Sequence, residues 1–417
     1  MSNSPLEFSV IDLDESCAAR RGLLKLPHGE VETPAFLPVG TQGSVKAVTP
    51  EQVAETGAQM ILANTYHLAL RPGSDVVREA GGLHAFTGWK GPILTDSGGY
   101  QVFSLGELNK VDDDGVTFRS HIDGDEVRLT PSRCMEIQND LGADIIMAFD
   151  ECPPYPASRE QVEKAVERTT RWAGLCRAAH RRDAEQALFG IVQGGCFDDL
   201  RRESARQLID LDFPGYAIGG VSVGEPPEDM RRVVEVTAPL LPSGRPRYLM
   251  GVGMPEDLVD LSLQGIDLFD CVVATRHARN ANLFTSKGVV KIRNSTWSRD
   301  FSPLDPDCSC YTCREFSRSY LRHLYHRAEI LGPVLGTIPN LTWFQRLMFD
   351  LREAISAGRG LEFRKSCRER VFSPIGRLQP AKRGKTFACV AAMVMLGLFG
   401  IPREDLILCI SPGLRTS

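Results

Sequence analysis

Residues 144–195 contain the strand–helix–strand pattern that decides the fold. DIIMAFDE (residues 144–151) and LFGIVQGG (residues 188–195) are short apolar runs that end in polar residues or glycine. Between them lies SREQVEKAVERTTRWAGLCRAA (residues 158–179), whose apolar positions recur at the spacing of a helix with one buried face. Two such runs joined by a helix are typical of a parallel βαβ unit.

The same pattern extends in both directions along the chain. Similar apolar runs occur at residues 35–40, 60–65, 92–99, 216–220, 247–253 and 267–273, which makes eight in all. Eight consecutive β-then-α units predict an α/β fold, a (β/α)₈ TIM barrel, because eight is the number that closes such a barrel. VDDDGVTFRSHIDGDEVRLT (residues 111–130), with its Asp-Gly turn signals, predicts a β-hairpin inserted after the third strand.

The composition is that of an ordinary globular protein. The 417 residues are 42% hydrophobic and 24% charged, with a net charge of −5, and this excludes the disordered, collagen-like and disulfide-scaffold classes. The acidic balance alone argues against a nucleic-acid partner, because such proteins usually present a basic surface. The N-terminus shows no secretory signal, and the apolar run at residues 387–401 is too short to span a bilayer and predicts a buried helix. We therefore expect a cytoplasmic location, no membrane partner and reduced cysteines.

Polar side chains and glycines follow the predicted strands. They are Asp96, Asp150, Gln193, the pair Gly219 and Gly220, and Asp270. A single aspartate at such a position could equally be a helix N-cap. In a closed barrel, however, the C-terminal ends of all eight strands meet at one face, where the chemistry lies. The set as a whole therefore predicts one shared functional site.

The chain changes character after the eighth predicted strand. Residues 271–300 carry six Lys or Arg side chains against one acid, for a net charge of +5. A solvated strand pair explains part of this excess, but such sorting of charge also suits a phosphate-contacting face. Cys308, Cys310 and Cys313 follow. Three cysteines at this spacing predict a tetrahedral zinc site with a fourth ligand from elsewhere, although buried, unliganded thiols are the alternative.

Six motifs together resemble the tRNA-guanine transglycosylase family, also called queuine tRNA-ribosyltransferase. They are DSGGYQVFS (96–104), FDEC (149–152), GIVQGG (190–195), FDC (269–271), Thr275-Arg276 and the CxCxxC cluster. The resemblance extends over about residues 6–365 and reaches every barrel unit. It implies a TIM barrel with a C-terminal zinc-binding subdomain, one structural Zn²⁺ per subunit and a homodimer. It also implies exchange of guanine 34 in tRNAs for Asp, Asn, His and Tyr, which have GUN anticodons, for a 7-deazaguanine.

The resemblance further implies roles for individual residues. Asp270 would be the nucleophile that forms a covalent ribosyl intermediate, and Asp96 would be the general acid and base. The substrate-binding residues would be Asp150, Gln193, Gly219, Gly220, Ser97, Gly98, Tyr100, Met250 and Val223, with Tyr100 and Met250 on the two faces of the base. The residues that bind tRNA would be Thr275, Arg276 and Arg279.

One position decides the expected incoming base. Val223 stands where eukaryotic relatives carry a glycine that admits queuine, and together with Cys152 this resembles the bacterial enzymes and favours preQ1, with guanine as the base exchanged. Glu225 could accept a hydrogen bond from the aminomethyl group of preQ1, or it could be an ordinary carboxylate at a helix start.

The sequence departs from the family pattern at the zinc site. The family supplies its fourth ligand as the histidine of T-I-H-N-L, but the corresponding segment is TIPNL (residues 337–341), so Pro339 occupies the ligand position. His323 or His326 could replace that ligand, or water could complete the tetrahedron.

Three segments are therefore predicted: a catalytic barrel at 1–275, basic strands with a zinc-binding subdomain and closing helices at 276–365, and an unassigned tail at 366–417. A non-catalytic tRNA-binding partner subunit is the main alternative function. A metal-independent glycoside hydrolase is a weaker alternative, because it leaves the basic segment and the cysteines unexplained.

Overall fold

The computed structural model describes residues 5–100 and 110–370. The strands are β1 (Glu7–Leu13), β2 (Arg20–Leu26), β3 (Gly29–Thr33), β4 (Ala35–Gly40), β5 (Ile61–Ala63), β6 (Ile93–Thr95), β7 (Lys110–Asp112), β8 (Gly115–Arg119), β9 (Glu126–Leu129), β10 (Ile145–Met147), β11 (Ala187–Val192), β12 (Gly215–Ile218), β13 (Arg247–Leu249), β14 (Leu268–Cys271), β15 (Asn282–Thr285) and β16 (Gly288–Lys291). The helices are Pro50–Glu55, Thr65–Leu70, Ser74–Glu79, Leu83–Thr87, Pro131–Leu141, Arg159–Ala179, Asp198–Asp210, Pro227–Thr237, Pro255–Ser262, Val273–Arg279, Tyr311–Glu315, Arg318–His326, Leu331–Ser356 and Gly360–Arg370.

Eight parallel strands close the barrel, in the order β4, β5, β6, β10, β11, β12, β13, β14. The last pairs with the first, with Leu268 opposite Ala35. Each of the eight apolar runs found in the sequence overlaps one of these strands, so the predicted (β/α)₈ barrel is confirmed. The runs are apolar throughout because both faces of a barrel strand are buried.

Alternate strand residues divide between two hydrophobic cores. Leu37 and Phe189 point into the barrel and belong to its interior cluster. Phe36 and Leu188 point outward and pack in the larger cluster between the strands and the helices. The helix Arg159–Ala179 begins at the Ser158 cap, with a capping box to Gln161. The strand framework is therefore rigid, and its loops carry the polar groups described below.

An antiparallel sheet of β1, β2 and β3 covers the N-terminal end of the barrel. Leu24 and Val31 from this sheet join the barrel's interior cluster. Arg20 forms a buried, two-pronged pair with Asp267, with Nε 2.9 Å from Oδ1 and Nη2 2.5 Å from Oδ2. This sheet closes the end of the barrel opposite the strand ends that bear the site.

The insertion after the third barrel strand has three strands, β7, β8 and β9, where the sequence predicted a two-stranded hairpin. Asp112 accepts the backbone N–H groups of Asp114 and Gly115 and so forms the first turn. A second turn connects Ser120 to Asp125, and β9 then pairs with β8. The second Asp-Gly pair lies in this second turn, and this is why the segment contains one strand more than a hairpin.

The segment after β14 packs back on the barrel. The antiparallel pair β15 and β16 forms part of the predicted basic segment. Asn340, in the long helix Leu331–Ser356, accepts the Phe284 N–H at 2.8 Å and donates to the carbonyls of Ala274 and Asn282. This one amide fixes the long helix to the chain that immediately follows Asp270.

The predicted boundaries at residues 275, 276 and 365 stay predictions. The predicted helix at 387–401 and nearly all of the unassigned tail lie outside the described residues. Within the described ranges, no helix is long and apolar enough to cross a membrane.

Candidate active site

Asp270 lies in the last barrel strand, β14, with its side chain buried. Its Oδ1 accepts hydrogen bonds from the Tyr248 hydroxyl at 2.5 Å and from the Gly251 N–H at 2.8 Å. Among the described residues, none donates a hydrogen bond to Oδ2. Burial raises the pKa of Asp270, and the two donors oppose that rise. The carboxylate is thus fixed through one oxygen and open at the other.

Asp96 follows β6 and faces helix Thr65–Leu70, also as a buried carboxyl group. Its Oδ1 accepts the Thr65 N–H at 2.9 Å, and its Oδ2 accepts the side-chain amide of Asn64. Burial raises the pKa of Asp96 to about 7, and the charges of Asp270 and Asp150 contribute to the rise. One buried carboxyl group therefore changes its charge near neutral pH beside a second one.

Asp150 joins three successive strand ends in one hydrogen-bond network. Its Oδ1 accepts the Ser97 hydroxyl at 2.7 Å, and its Oδ2 accepts the Gln193 side-chain amide at 2.7 Å. Gly98 has a φ of +78°, which allows the chain to turn directly after Ser97. Burial raises the pKa of Asp150, while Ser97 and Gln193 lower it.

Gly219 and Gly220 leave room for Gln193. A Cβ at Gly219 would lie 2.8 Å from Gln193 Nε2, and one at Gly220 would lie 2.3 Å from Gln193 Oε1. Gly220 also has a φ of +64°, which disfavours any other residue. Gln193 Oε1 is buried and has no hydrogen-bond partner among the described residues. It is an acceptor available to a bound polar molecule.

Arg201, in the helix Asp198–Asp210, holds the backbone around Gln193 and the glycine pair in place. Its guanidinium is buried and donates to the carbonyls of Val192, Gly195, Gly219 and Gly220. Burial lowers its pKa to about 10, so it stays charged at neutral pH. It fixes the orientation of the backbone on both sides of the Gln193 side chain.

The predicted base-stacking residues lie at the rim. Tyr100 is exposed over 48% of its surface, and Met250 is partly buried beside the barrel interior. Residues 101–104 of the first motif lie outside the described residues. Glu225 accepts the backbone N–H of Val223 at 2.9 Å and also that of Ser222. The Glu225 carboxylate therefore organises the loop that carries Val223.

The predicted tRNA-binding residues lie on helix Val273–Arg279, directly after β14. Arg276 is exposed, whereas the Thr275 hydroxyl is buried and donates to the Val272 carbonyl at 3.2 Å. Burial and the charge of Arg276 lower the pKa of Arg279, whose Nη1 has no partner among the described residues. Burial and the charge of Arg279 likewise lower the pKa of Lys46. Arg276, Arg279 and Lys46 thus form a cluster of positive charges.

The sulfur atoms of Cys308, Cys310 and Cys313 lie within 4.8 Å of one another. The thiols of Cys310 and Cys313 hydrogen-bond to Cys308 and lower its pKa. Three convergent sulfurs with a favoured thiolate fit zinc. The cluster could therefore hold a metal ion.

The position at which the family supplies its fourth zinc ligand is different in this chain. Pro339 is buried inside helix Leu331–Ser356 and offers no donor atom. Within the described part of the chain, neither His323 nor His326 joins the three sulfurs, and His326 Nε2 lies 3.0 Å from the Arg293 carbonyl. Among the described residues, the cluster therefore brings together three sulfur atoms and neither of these histidines.

Comparison with known proteins decides the family. The family model described as queuine tRNA-ribosyltransferase matches residues 14–373. The chain belongs to the queuine tRNA-ribosyltransferase family. The resemblance recognised in the sequence motifs is thereby confirmed.

Individual members of this family are closely similar to the chain. A queuine tRNA-ribosyltransferase from Pelotomaculum thermopropionicum is 60% identical over 359 residues, which is 86% of this chain and 97% of the relative. Those from Geobacillus kaustophilus and Lysinibacillus sphaericus are 56% and 54% identical, over 87% of this chain and 95% and 96% of their own lengths.

Four residues of the candidate site were not predicted from the sequence of this queuine tRNA-ribosyltransferase family member. Asn64 and Tyr248 contact Asp96 and Asp270, Arg201 supports the glycine pair, and Lys46 joins the cations. Asn64 follows β5 and Lys46 follows β4, so a search of every strand end would have found these two. Tyr248 and Arg201 carry no local signal, because a buried strand tyrosine and a helix arginine are common in any barrel.

Proposed function

We propose that this chain is a tRNA-guanine transglycosylase that exchanges guanine 34 in GUN anticodons for preQ1, in queuosine biosynthesis. The observation that carries the proposal is the pair of buried carboxyl groups, Asp270 and Asp96, at one mouth of the barrel. Their surroundings differ: one is fixed by two donors and open at Oδ2, and the other has a pKa of about 7. Such a division supports separate nucleophile and acid–base roles. The tRNA substrate supports a cytoplasmic location.

The first proposed step is attack by Asp270 Oδ2 on C1′ of the ribose. The bond from C1′ to the guanine nitrogen breaks as the ester bond to Asp270 forms, and protonated Asp96 supplies the proton that the leaving guanine needs. The hydrogen bonds from Tyr248 and Gly251 to Oδ1 hold the carboxylate with its other oxygen toward the substrate.

The second proposed step returns both groups to their starting state. Ionised Asp96 takes a proton from the incoming base, which attacks C1′ and releases Asp270. Two displacements at one carbon retain its configuration, as in retaining glycosidases. A pKa of about 7 suits a group that must give a proton and then accept one.

Recognition of the base is proposed for the network around Asp150. Its carboxylate would accept hydrogen bonds from the purine edge, and the unpaired Oε1 of Gln193 would accept another. Gly219 and Gly220 would contribute backbone groups, and Tyr100 and Met250 would cover the faces of the ring. Ser97 and Gly98 would shape the loop that borders it. Val223 would limit the space beside the incoming base, and this supports preQ1 rather than a bulkier base.

Binding of the tRNA backbone is proposed for Arg276, Arg279 and Lys46. The pKa of Arg279 is lowered by burial and by the charge of Arg276, and that of Lys46 by burial and by the charge of Arg279, so this cluster gains from an anionic partner. Phosphate groups of the anticodon loop are such partners. Thr275 stays a predicted contact, with its hydroxyl turned to the Val272 carbonyl.

A structural Zn²⁺ on the three cysteines is proposed to stabilise the segment next to an aromatic patch. Phe316 stacks on Tyr320 and meets Tyr311 edge-on, with ring centroids 5.5 Å apart in both pairs, and Phe301 is 78% exposed nearby. Exposed aromatic patches often mark protein contacts. They support the proposed homodimer with a contact beside the metal site.

The decisive experiment is guanine exchange by the purified chain alone. Labelled guanine should enter a tRNA with a GUN anticodon, and preQ1 should compete with it. In the wild type we expect a covalent RNA–protein adduct on denaturing gels, and Asp270→Asn should abolish both this adduct and the exchange. Asp183→Asn is the matched control, because this aspartate is 84% exposed and precedes β11, at the end of the barrel opposite the site.

The same experiment separates the alternative of a non-catalytic partner subunit, which Pro339 motivates. A partner subunit would bind tRNA but exchange no guanine until a second polypeptide is added. That result, or undiminished exchange in Asp270→Asn, would overturn the proposal.

A further inference from the structure

Two histidines and an aspartate meet at the N-terminal end of the barrel, away from the carboxyl pair. His28 lies in the turn between β2 and β3, His84 lies in helix Leu83–Thr87, and Asp144 immediately precedes β10. Their ligand atoms, one from each residue, lie within 4.8 Å of one another. The proposed function uses none of the three.

The two imidazoles converge on one carboxylate. His28 Nδ1 lies 2.8 Å from Asp144 Oδ1, and His84 Nε2 lies 3.3 Å from Asp144 Oδ2. The rings are stacked face to face, with centroids 3.5 Å apart and planes 12° apart. Two imidazole nitrogens and one carboxylate form a donor set that zinc commonly takes, with water in the fourth position.

The carboxylate is held in place by backbone groups. The His28 N–H donates to Oδ1 at 3.1 Å and the Ile93 N–H donates to Oδ2 at 2.8 Å. The side chain of Asp144 is fully buried, yet its pKa is lowered, because hydrogen bonds from His84, Ile93 and His28 outweigh the desolvation. Outer hydrogen bonds of this kind orient ligating carboxylates in metal sites.

The cluster also has an opening to solvent. The His28 side chain is 43% exposed and that of His84 is 14% exposed. An ion can therefore enter past His28 and keep a water ligand on that side. The Gly91 carbonyl, 3.1 Å from His84 Nε2, is a further oxygen at the edge of the cluster.

We propose that His28, His84 and Asp144 form a second metal site, distinct from the cysteine cluster, for a divalent transition ion, with zinc expected. The stacked rings must part for both nitrogens to reach about 2.0 Å from one ion, and His28 can move because it lies in an exposed turn. Each neutral imidazole then binds through the nitrogen nearest Asp144 and carries its proton on the other nitrogen. No net proton is released.

The ion would connect the turn of the N-terminal sheet to the base of β10. In barrels of this type the N-terminal face contributes to stability rather than to chemistry. We therefore expect bound metal to raise the melting temperature and to leave guanine exchange unchanged. Metal binding at this cluster can therefore be tested separately from guanine exchange.

Cobalt substitution of the full chain tests the proposal. Cobalt on the three cysteines gives a strong thiolate-to-metal charge-transfer absorption, whereas cobalt on two histidines and an aspartate gives only weak visible bands. The wild type should retain two equivalents of cobalt or zinc after desalting. His84→Gln should lose one equivalent and keep the charge-transfer absorption. The triple variant Cys308→Ser, Cys310→Ser and Cys313→Ser should keep one equivalent of metal and lose the charge-transfer absorption.

Controls separate the site from general effects on folding. Glu30→Gln alters an exposed carboxylate in the strand after the same turn and should retain two equivalents. If the triple cysteine variant does not fold, His28→Gln against wild type gives the same comparison, because His28 is on the surface. Equal metal content in wild type, His84→Gln and His28→Gln would overturn the proposal, and so would a folded triple variant without metal.

Discussion

At the scale of single residues, the burial of Asp96 makes its protonation state depend on pH near neutrality. Its pKa is raised to about 7 by burial, with added repulsion from Asp270 and Asp150. The first proposed step needs Asp96 protonated and Asp270 ionised. We expect kcat/KM for tRNA to fall toward tenfold per pH unit well above pH 7, because the protonated fraction falls at that rate. A pH profile with single-turnover kinetics checks this, and a flat profile from pH 6 to 9 would contradict it.

The raised pKa of Asp96 also makes the free energy of unfolding depend on pH. The folded-state pKa of Asp96 lies above its ordinary value of 3.8. Its contribution to the free energy of unfolding is therefore fully present below pH 3.8 and is lost as the pH rises through about 7. Asp96→Asn should weaken the decline of stability across that interval. Urea unfolding of both proteins at several pH values measures the difference.

Tyr248 is expected to act as a positioning residue for Asp270. Tyr248→Phe removes the hydroxyl donor at 2.5 Å and leaves the Gly251 N–H as the remaining described donor to Oδ1. Hydrogen bonds to charged groups contribute about 1.5–3 kcal/mol, so we expect kcat to fall roughly 10- to 100-fold with a smaller change in KM. The acid limb of the pH profile should also move upward.

The control is the tyrosine of the neighbouring strand. The Tyr216 hydroxyl accepts the Phe213 N–H at 3.2 Å, away from Asp270. Tyr216→Phe should lower stability and leave kcat unchanged. If both variants lose activity equally, Tyr248 acts through general packing alone.

At the scale of secondary-structure elements, the long helix Leu331–Ser356 carries the clearest departure from the family pattern. Pro339 lies inside this helix, where proline removes a backbone hydrogen bond. Pro339→His should restore both that bond and a fourth metal donor. We expect zinc to bind at least about tenfold more tightly, equivalent to about 1.4 kcal/mol. Competition with a chromogenic chelator measures the change.

Pro339→Ala distinguishes the two effects. Alanine restores the backbone N–H without adding a ligand, so it should raise helix stability and leave zinc affinity unchanged. Equal zinc affinity in the histidine and alanine variants would show that position 339 does not reach the metal.

The elements differ in how far the sequence predicts them. The barrel strands are predictable because each is a short apolar run buried on both faces, as in residues 145–147 and 187–192. The sheet β1–β3 was not predicted, since its burial pattern depends on contacts with distant segments. The Arg20–Asp267 pair is an example: neither residue signals its partner along the chain. The third strand of the insertion was missed because its pairing depends on a second turn.

At the scale of the whole molecule, the net charge does not describe the charge next to the site. The chain carries a net charge of −5, yet Lys46, Arg276 and Arg279 cluster beside the strand end that carries Asp270. The overall charge therefore does not exclude an RNA partner. What matters for phosphate binding is the local excess.

Lys46 provides the corresponding prediction. Lys46→Ala should weaken tRNA binding several-fold at low salt and reduce the slope of log affinity against log salt by about 1. Lys90→Ala is the control, because this exposed lysine precedes β6 at the opposite end of the barrel. Equal slopes for the wild type and Lys46→Ala would remove Lys46 from the interface.

The residues of the site that end barrel strands could be predicted from the sequence. The residues that hold them through hydrogen bonds from within strands and helices could not. Asp96, Asp150, Gln193 and Asp270 meet because barrel closure brings all strand ends to one face. Asn64 donates to Asp96 and itself follows a strand, whereas Tyr248 donates to Asp270 from within a strand and Arg201 donates to the Gly219 carbonyl from a helix. Such contacts depend on side-chain packing that no spacing along the chain encodes.

The network around Asp150 has a consequence for fidelity. Ser97 and Gln193 each occupy one of its oxygens, so the remaining lone pairs accept only donors in a fixed direction. Guanine and preQ1 both offer an N–H and an amino group along one edge, whereas adenine offers a lone pair at the corresponding ring nitrogen. A buried acceptor that meets another acceptor loses the hydrogen bonds of both. If Asp150 reads the base as proposed, this one rigid carboxylate would exclude adenine from the exchange without any proofreading step.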